Sequence, residues 1–134
     1  MVFEKRVTII RVDRPSDNDI NNSLQWFGNS LGLFSLRDKD KSCFRIFIEL
    51  LKASKTKDPL SSDELAAKLA LTRGTVVHHV NKLMDSGLVV SRGRRYILRV
   101  SNLSSLVEEL HKDVSETCRD LRDVAEQIDR CLGL

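Results

Sequence analysis

The stretch that most constrains this chain is T-R-G-T-V-V-H-H-V-N-K-L-M-D-S-G-L, Thr72 to Leu88. Val76, Val80 and Leu83 recur at steps of four and three, which sets them on one stripe of an α-helix. Thr72 stands where an N-cap hydroxyl accepts from the first free amides. Gly87 stands at the C′ position, where φ > 0 is needed, and Leu88 can fold back on the last turn. The opposite face carries Arg73, Thr75, Val77, His78, Asn81 and Lys82. Its donors suit phosphates and base edges, and Val77 suits a thymine methyl. A helix that is apolar behind and donor-rich in front reads as one that enters a DNA groove.

The flanking residues extend the pattern. Ser61-Ser62-Asp63-Glu64 has the S-x-x-E spacing of a capping box, and Leu65, Ala66 and Leu69 give a short helix its inward face. Leu71-Thr72 forms the turn into the next helix, and two short helices so joined make a helix-turn-helix. After Gly87, Val89 and Val90 begin a strand, Arg92-Gly93-Arg94 turns, and Tyr96, Leu98 and Val100 alternate with Ile97 and Arg99. This predicts a β-hairpin whose tip and second strand hold Arg92, Arg94, Arg95 and Arg99. Such a hairpin can grip a nucleic-acid backbone; the plainer reading is a solvated arginine-rich turn.

Upstream, the β-branched run from Val2 to Val12 predicts a strand, ended by Pro15. Ser16 or Asp17 opens a helix whose apolar face is Ile20, Leu24, Phe27 and Leu31, with Gly28 and Gly32 weakening its end. Trp26 beside it reads as a packing residue. Asp38 and Asp40 precede a second helix with Phe44, Phe47, Ile48 and Leu51 as its buried face. Ser54 to Pro59 is an aperiodic loop.

Downstream, Leu103, Val107, Leu110, Val114, Thr117, Leu121, Val124, Ile128 and Cys131 alternate in steps of four and three, a heptad seam on one long helix. Val107, Val114, Leu121 and Ile128 take the a positions; the others take d. β-branched a positions favour two strands when the pairing is parallel. Cys118, Ala125 and Leu132 at e widen the stripe beyond a two-helix seam, so the Ile20–Leu31 helix is expected to meet it as well.

Charge follows the same division. Net charge is +3, but residues 103–134 hold eight acids and four bases, leaving the tail at −4 and the first 102 residues at +7. A basic body facing a polyanion and an acidic tail facing away fit that asymmetry. No apolar run reaches membrane-spanning length and Met1–Arg6 lacks a signal-peptide core, so a cytoplasmic protein is expected. Cys43, Cys118 and Cys131 form no C-x-x-C, which points to reduced structural cysteines. No G-x-S-x-G, P-loop or H-E-x-x-H occurs, so an enzyme is not expected.

The segment from Phe44 to Val100 resembles the winged helix-turn-helix of ArsR/MarR-type transcriptional regulators. The matching residues are E-L-A-x-x-L at Glu64, G-T-V-x-x-H-V-x-x-L at Gly74, then S-G-L-V and a basic turn closing with Y-x-L. The resemblance implies a homodimer on duplex DNA, joined through its N- and C-terminal helices, with His78 facing outward and His79 toward the domain edge. Relatives that sense metal do so through a C-x-C in the first short helix or clusters on the last. Here that helix has no cysteine, and His111 and Glu116 are five apart, so no metal and no cofactor are expected.

The reading is therefore a mainly α (α+β) winged helix-turn-helix with an N-terminal strand and helix and a long C-terminal dimerisation helix. It divides as 1–37, 38–101 and 102–134. The expected function is sequence-specific transcription regulation as a homodimer; the other reading is a winged helix used for protein–protein interaction. The expected DNA-binding residues are Ser62, Thr72, Arg73, Thr75, Val77, His78, His79, Asn81, Lys82, Arg92, Arg94 and Arg95. Dimerisation falls to Ile20, Leu24, Phe27, Leu103, Val107, Leu110, Val114, Leu121, Val124 and Ile128. The sequence leaves any small-molecule effector unknown.

Overall fold

A computed structural model of the chain describes residues 6–134. It holds five helices and three short strands in the order α1 (Ile20–Ser30), α2 (Ser42–Ser54), β1 (Leu60–Ser61), α3 (Ser62–Leu69), α4 (Arg73–Asp85), β2 (Val89–Arg92), β3 (Arg95–Leu98), α5 (Leu103–Leu132). Each boundary has a local cause. Ser61 Oγ accepts the Glu64 N–H at 3.1 Å, capping α3, and donates to Glu64 Oε1 at 3.2 Å in place of the backbone bond of a full capping box. Thr72 Oγ1 accepts the Thr75 N–H at 3.2 Å and starts α4. Gly87, at φ +77°, ends it, and the Leu88 N–H returns to the Leu83 carbonyl at 3.1 Å. Between α3 and α4 the chain turns through Ala70 at φ +55°, a left-handed conformation that costs a non-glycine residue about 1–2 kcal/mol.

The core forms around α2. Ile46, Phe47 and Leu50 are buried there and meet Leu65 of α3 and Val76, Val80 and Leu83 of α4. Leu88, Val89 and Leu98 close the same core from the sheet. The buried face of α2 is thus rotated from the expected one: Phe44 and Phe47 are buried, Ile48 and Leu51 only half so, and Cys43, Ile46 and Leu50 lie inside. Neighbours on both sides of α2 bury more than one stripe, which periodicity alone does not show.

The sheet is antiparallel with β3 in the middle. Val89 pairs with Leu98 and Arg92 with Arg95, so a two-residue loop joins β2 to β3. Gly93 takes its first place at φ +64°, where a type II′ hairpin requires glycine. Leu60 and Ser61 pair with Tyr96 and Arg95, a third strand too short to leave a period in the sequence. Helix-turn-helix and hairpin together form a winged helix-turn-helix.

The strand expected over Val2–Val12 does not form where it can be seen. Residues 2–5 lie outside the described residues, and 6–12 run without regular structure. Arg6 N–H donates to the Asp85 carbonyl at 2.9 Å and Ile10 N–H to Ser30 at 2.7 Å. The segment is tied to two helix ends, and among the described residues it pairs with no strand. Helix α1 begins later than expected, with Asp19 as N-cap accepting from Asn21 at 2.8 Å. Gly28 does not weaken α1; it brings the helix close, since a Cβ there would stand 2.6 Å from two carbons of the Phe44 ring. The Trp26 indole donates to the Val12 carbonyl at 3.0 Å.

Helix α5 is a single thirty-residue helix, capped by Asn102, whose side chain accepts from Ser105 at 2.8 Å. Its first turns dock on the winged domain: Leu106 and Leu110 are buried and Leu103 is half-buried against the same core. Arg99, just past β3, fixes the angle. It donates to Asp113 at 2.5 and 3.2 Å and to Glu109 at 3.3 Å. The Asp113 bond holds the guanidinium above its ordinary value against the cost of burial. Leu103 and Leu110, read above as seam positions, are thus spent within the chain's own core. From residue 115 onward every residue of α5 is exposed. Among the described residues no helix is long and apolar enough to cross a membrane.

Candidate nucleic-acid interface

The inward stripe of α4 is wholly buried, so its outward face is fixed by geometry. Arg73, His78, Asn81 and Lys82 are exposed there, and Thr75 and Val77 are half-buried beside them. Arg73 Nε lies 3.6 Å from Asp63 of α3, with both side chains more than 70 % exposed. Exposed pairs of this kind are worth about 0–1 kcal/mol, so the guanidinium is easily released to a phosphate or base. The Thr75 hydroxyl accepts from Thr72 Oγ1 at 2.8 Å, which ties both threonines to the helix start. Ser62 is buried at the start of α3.

The adjacent histidines part company. His78 is exposed, while the His79 side chain is 12 % exposed and turned toward Asp38 in the loop before α2. Its Nε2 lies 3.9 Å from Asp38 Oδ2, and its Nδ1 is buried without a hydrogen-bond partner. Burial lowers the His79 imidazole from its ordinary value, and His78 and Lys82 push the same way against the pull of Asp38. Burial by itself would raise the Asp38 carboxyl. The N–H groups of Cys43 and Ser42, both at 2.9 Å, outweigh it with help from His79 and leave Asp38 below its ordinary value. Asp38 thus accepts the first free amides of α2, where the N-cap residue Lys41 offers no side-chain bond.

The hairpin arginines also divide. Arg92 and Arg94 at the tip are exposed, and their side chains make no ion pair or hydrogen bond among the described residues. Arg95 makes a short ion pair with Glu64 of α3 and donates to the Pro59 carbonyl at 3.3 Å, so it braces the wing against the helix-turn-helix. Arg99 is committed to α5, as described.

A cleft of about 670 Å³ opens between α4 and residues 35–40, lined by Arg37 and Lys39 on one wall and His78 and Lys82 on the other. Arg37 and Lys39 escaped the sequence reading. The run Arg37-Asp38-Lys39-Asp40-Lys41 carries mixed charge that reads as a plain helix approach. Only the fold brings it beside α4. Among the described residues no three His, Cys, Asp or Glu side chains come together as a metal site, and His111 stands at the α1–α5 groove, far in the chain from the other two histidines.

No curated protein matches the chain. Residues 40–92, from the approach to α2 through β2, match the family model of the helix-turn-helix domain. The matched segment holds α2, α3, α4 and the first wing strand, and its likeness to helix-turn-helix domains points to DNA binding and transcription regulation.

Proposed function

We propose that the protein is a sequence-specific transcription regulator of the ArsR/MarR type that binds duplex DNA as a homodimer. The observation that carries this reading is that the winged domain presents two exposed surfaces rich in donors. The outward face of α4 presents Arg73, Thr75, Val77, His78, Asn81 and Lys82, and the wing tip presents Arg92 and Arg94 without internal partners. The first surface has the chemistry of base edges and the second that of phosphates. In this reading α4 lies in the major groove, the hairpin lies on the backbone, and Arg37 and Lys39 reach the phosphates beside α4. His79 supports the helix from behind, and Thr72 positions its N-terminus. The winged helix as a protein-docking module would want an apolar outer face on α4, and Val77 is its one apolar member.

Dimerisation rests on α5. Val107, Leu121, Val124, Ile128 and Leu132 are 45–68 % exposed on a helix whose second half is exposed throughout. A stripe of that size on a lone helix is an interface or a liability. Two copies would place two α4 helices on half-sites about one turn apart, ~34 Å. The experiment is selection of bound duplexes from a random pool, for the wild type and for Arg73→Ala and His78→Ala. A defined motif that loses base preference in the variants is expected. Variants that keep full discrimination would move the reading head off α4. A pool that yields no motif, with a protein partner captured by α4 instead, would favour the docking module.

A further inference from the structure

Arg99 joins three parts of the molecule at one point. Its backbone N–H donates to the Leu88 carbonyl at 3.0 Å, just past the end of α4. Its side chain reaches the other way and grips α5, with both Asp113 oxygens and one Glu109 oxygen as acceptors. The glycine that ends α4 lies against the same group. A Cβ at Gly87 would stand 3.5 Å from Arg99 Nη1, 3.7 Å from Asp113 Oδ2 and 3.9 Å from a Leu110 methyl. The end of α4, the base of the wing and the long helix thus meet on one guanidinium.

Little else gives α5 a direction. Residues 99–102 link it to β3 without regular structure, and among the described residues of α5 the buried ones are Leu106 and Leu110. Apolar contact holds a helix down but is non-directional. A guanidinium that takes both oxygens of one carboxylate is held in plane and in direction. The Arg99 side chain is 21 % exposed and that of Asp113 18 %, so solvent and salt screen this pair less than an exposed one.

We propose that Arg99 and Asp113 form a clamp that sets which half-site spacing the protein accepts. This rests on the homodimer on duplex DNA proposed above and names the residues that fix its geometry. With the two-fold axis on α5, the tilt of α5 against α4 decides how far apart the two α4 helices stand. The leverage is large. A tilt of about 10° at Asp113 moves Ile128, fifteen residues further along, by roughly 4 Å at 1.5 Å per residue. One base pair of duplex rises by ~3.4 Å. A clamp that holds the tilt to a few degrees therefore holds the spacing to one base pair, and a helix docked by Leu106 and Leu110 alone does not. Arg99 is a positioning residue in this role: it acts on spacing through α5 and leaves the outward face of α4 as it is.

The test is spacing selection with the full chain. The half-site motif recovered by the wild type is placed twice in duplexes whose spacer varies one base pair at a time. Affinity is read by fluorescence anisotropy for the wild type, Arg99→Gln and Asp113→Asn. A spacer wrong by one base pair has to be met by deforming the duplex, so the wild type should lose about tenfold in affinity there. In both variants the loss should shrink to about threefold or less, because α5 yields instead of the DNA. Base preference within each half-site should not change. Spacing preference lost with base preference kept is a result that general loosening of the winged domain does not give.

Arg99→Lys separates charge from direction. It keeps the cation and loses the fork, so it should relax spacing as the neutral variants do, and a wild-type spacing profile in it would overturn the clamp. Neutral variants that keep the wild-type profile would overturn the inference and leave the dimer in place. Neutral variants that lose base preference along with spacing, or that unfold by circular dichroism, would show that the pair holds the winged domain together rather than its angle, and overturn it as well. A wild type that recovers no paired motif would remove the two-fold reading itself and this inference with it.

Discussion

The wing offers the sharpest quantitative test, because the structure separates arginines that the sequence groups. Arg92 and Arg94 are exposed and unpaired among the described residues, whereas Arg95 is neutralised by Glu64 and hydrogen-bonded to Pro59. Each phosphate that a protein ceases to neutralise makes the slope of log affinity on log salt shallower by about 0.9. The double variant Arg92→Ala/Arg94→Ala should therefore reduce the slope by about 1.8. Between 50 and 200 mM salt that makes the fall in affinity roughly twelve-fold smaller than in the wild type.

Arg95→Ala should behave differently. Its charge is already balanced, so the slope should move by much less than a single phosphate's share. Loss of the Glu64 pair should instead lower stability by about 1 kcal/mol or less, because both partners are partly exposed. Fluorescence anisotropy of a labelled duplex over a salt series measures both slopes, and thermal unfolding measures stability. An unchanged slope in the double variant would take the wing off the backbone. A drop of a whole phosphate's share in Arg95→Ala would mean that the Glu64 pair opens on DNA.

Three further outcomes follow from the packing. Leu106→Ala removes a fully buried side chain that docks α5 and should cost about 2–5 kcal/mol by denaturant unfolding, whereas a cost below about 1 kcal/mol would mean that α5 is not anchored there. Burial raises the Cys43 thiol to about 11, so a thiol reagent at pH 8 should modify Cys131 quickly and Cys43 only on unfolding. Stability should fall as pH drops through 6.5: there the unfolded chain protonates His79 while the folded chain, with its imidazole lowered, does not. His79→Gln should flatten that acid arm, and an unchanged profile would show that His79 is not the group responsible.

Local chemistry decides much of this molecule. The caps at Ser61 and Thr72, the glycine stop at Gly87, the hairpin loop at Gly93 and the buried stripe of α4 all follow from neighbours within a few residues, so the sequence alone specifies them. The donor face of α4 follows in turn, because a helix that buries one stripe must expose the other. Everything else depended on what lies across the fold. The Val7–Val12 run is β-branched, but strands need a partner edge and this segment meets helix ends instead. His78 and His79 are alike in sequence, yet one faces solvent and the other packs on Asp38, which the fold brings beside only one of them. Arg95 and Arg99 stand in one basic stretch with Arg92 and Arg94, and only the placement of Glu64 and Asp113 shows which are spent. The heptads of α5 are legible, but a repeat cannot say which of its residues the chain buries in itself. Apolar stripes are non-directional, and only the docked Leu106 and Leu110 divide this one into a half that belongs to the domain and a half left free.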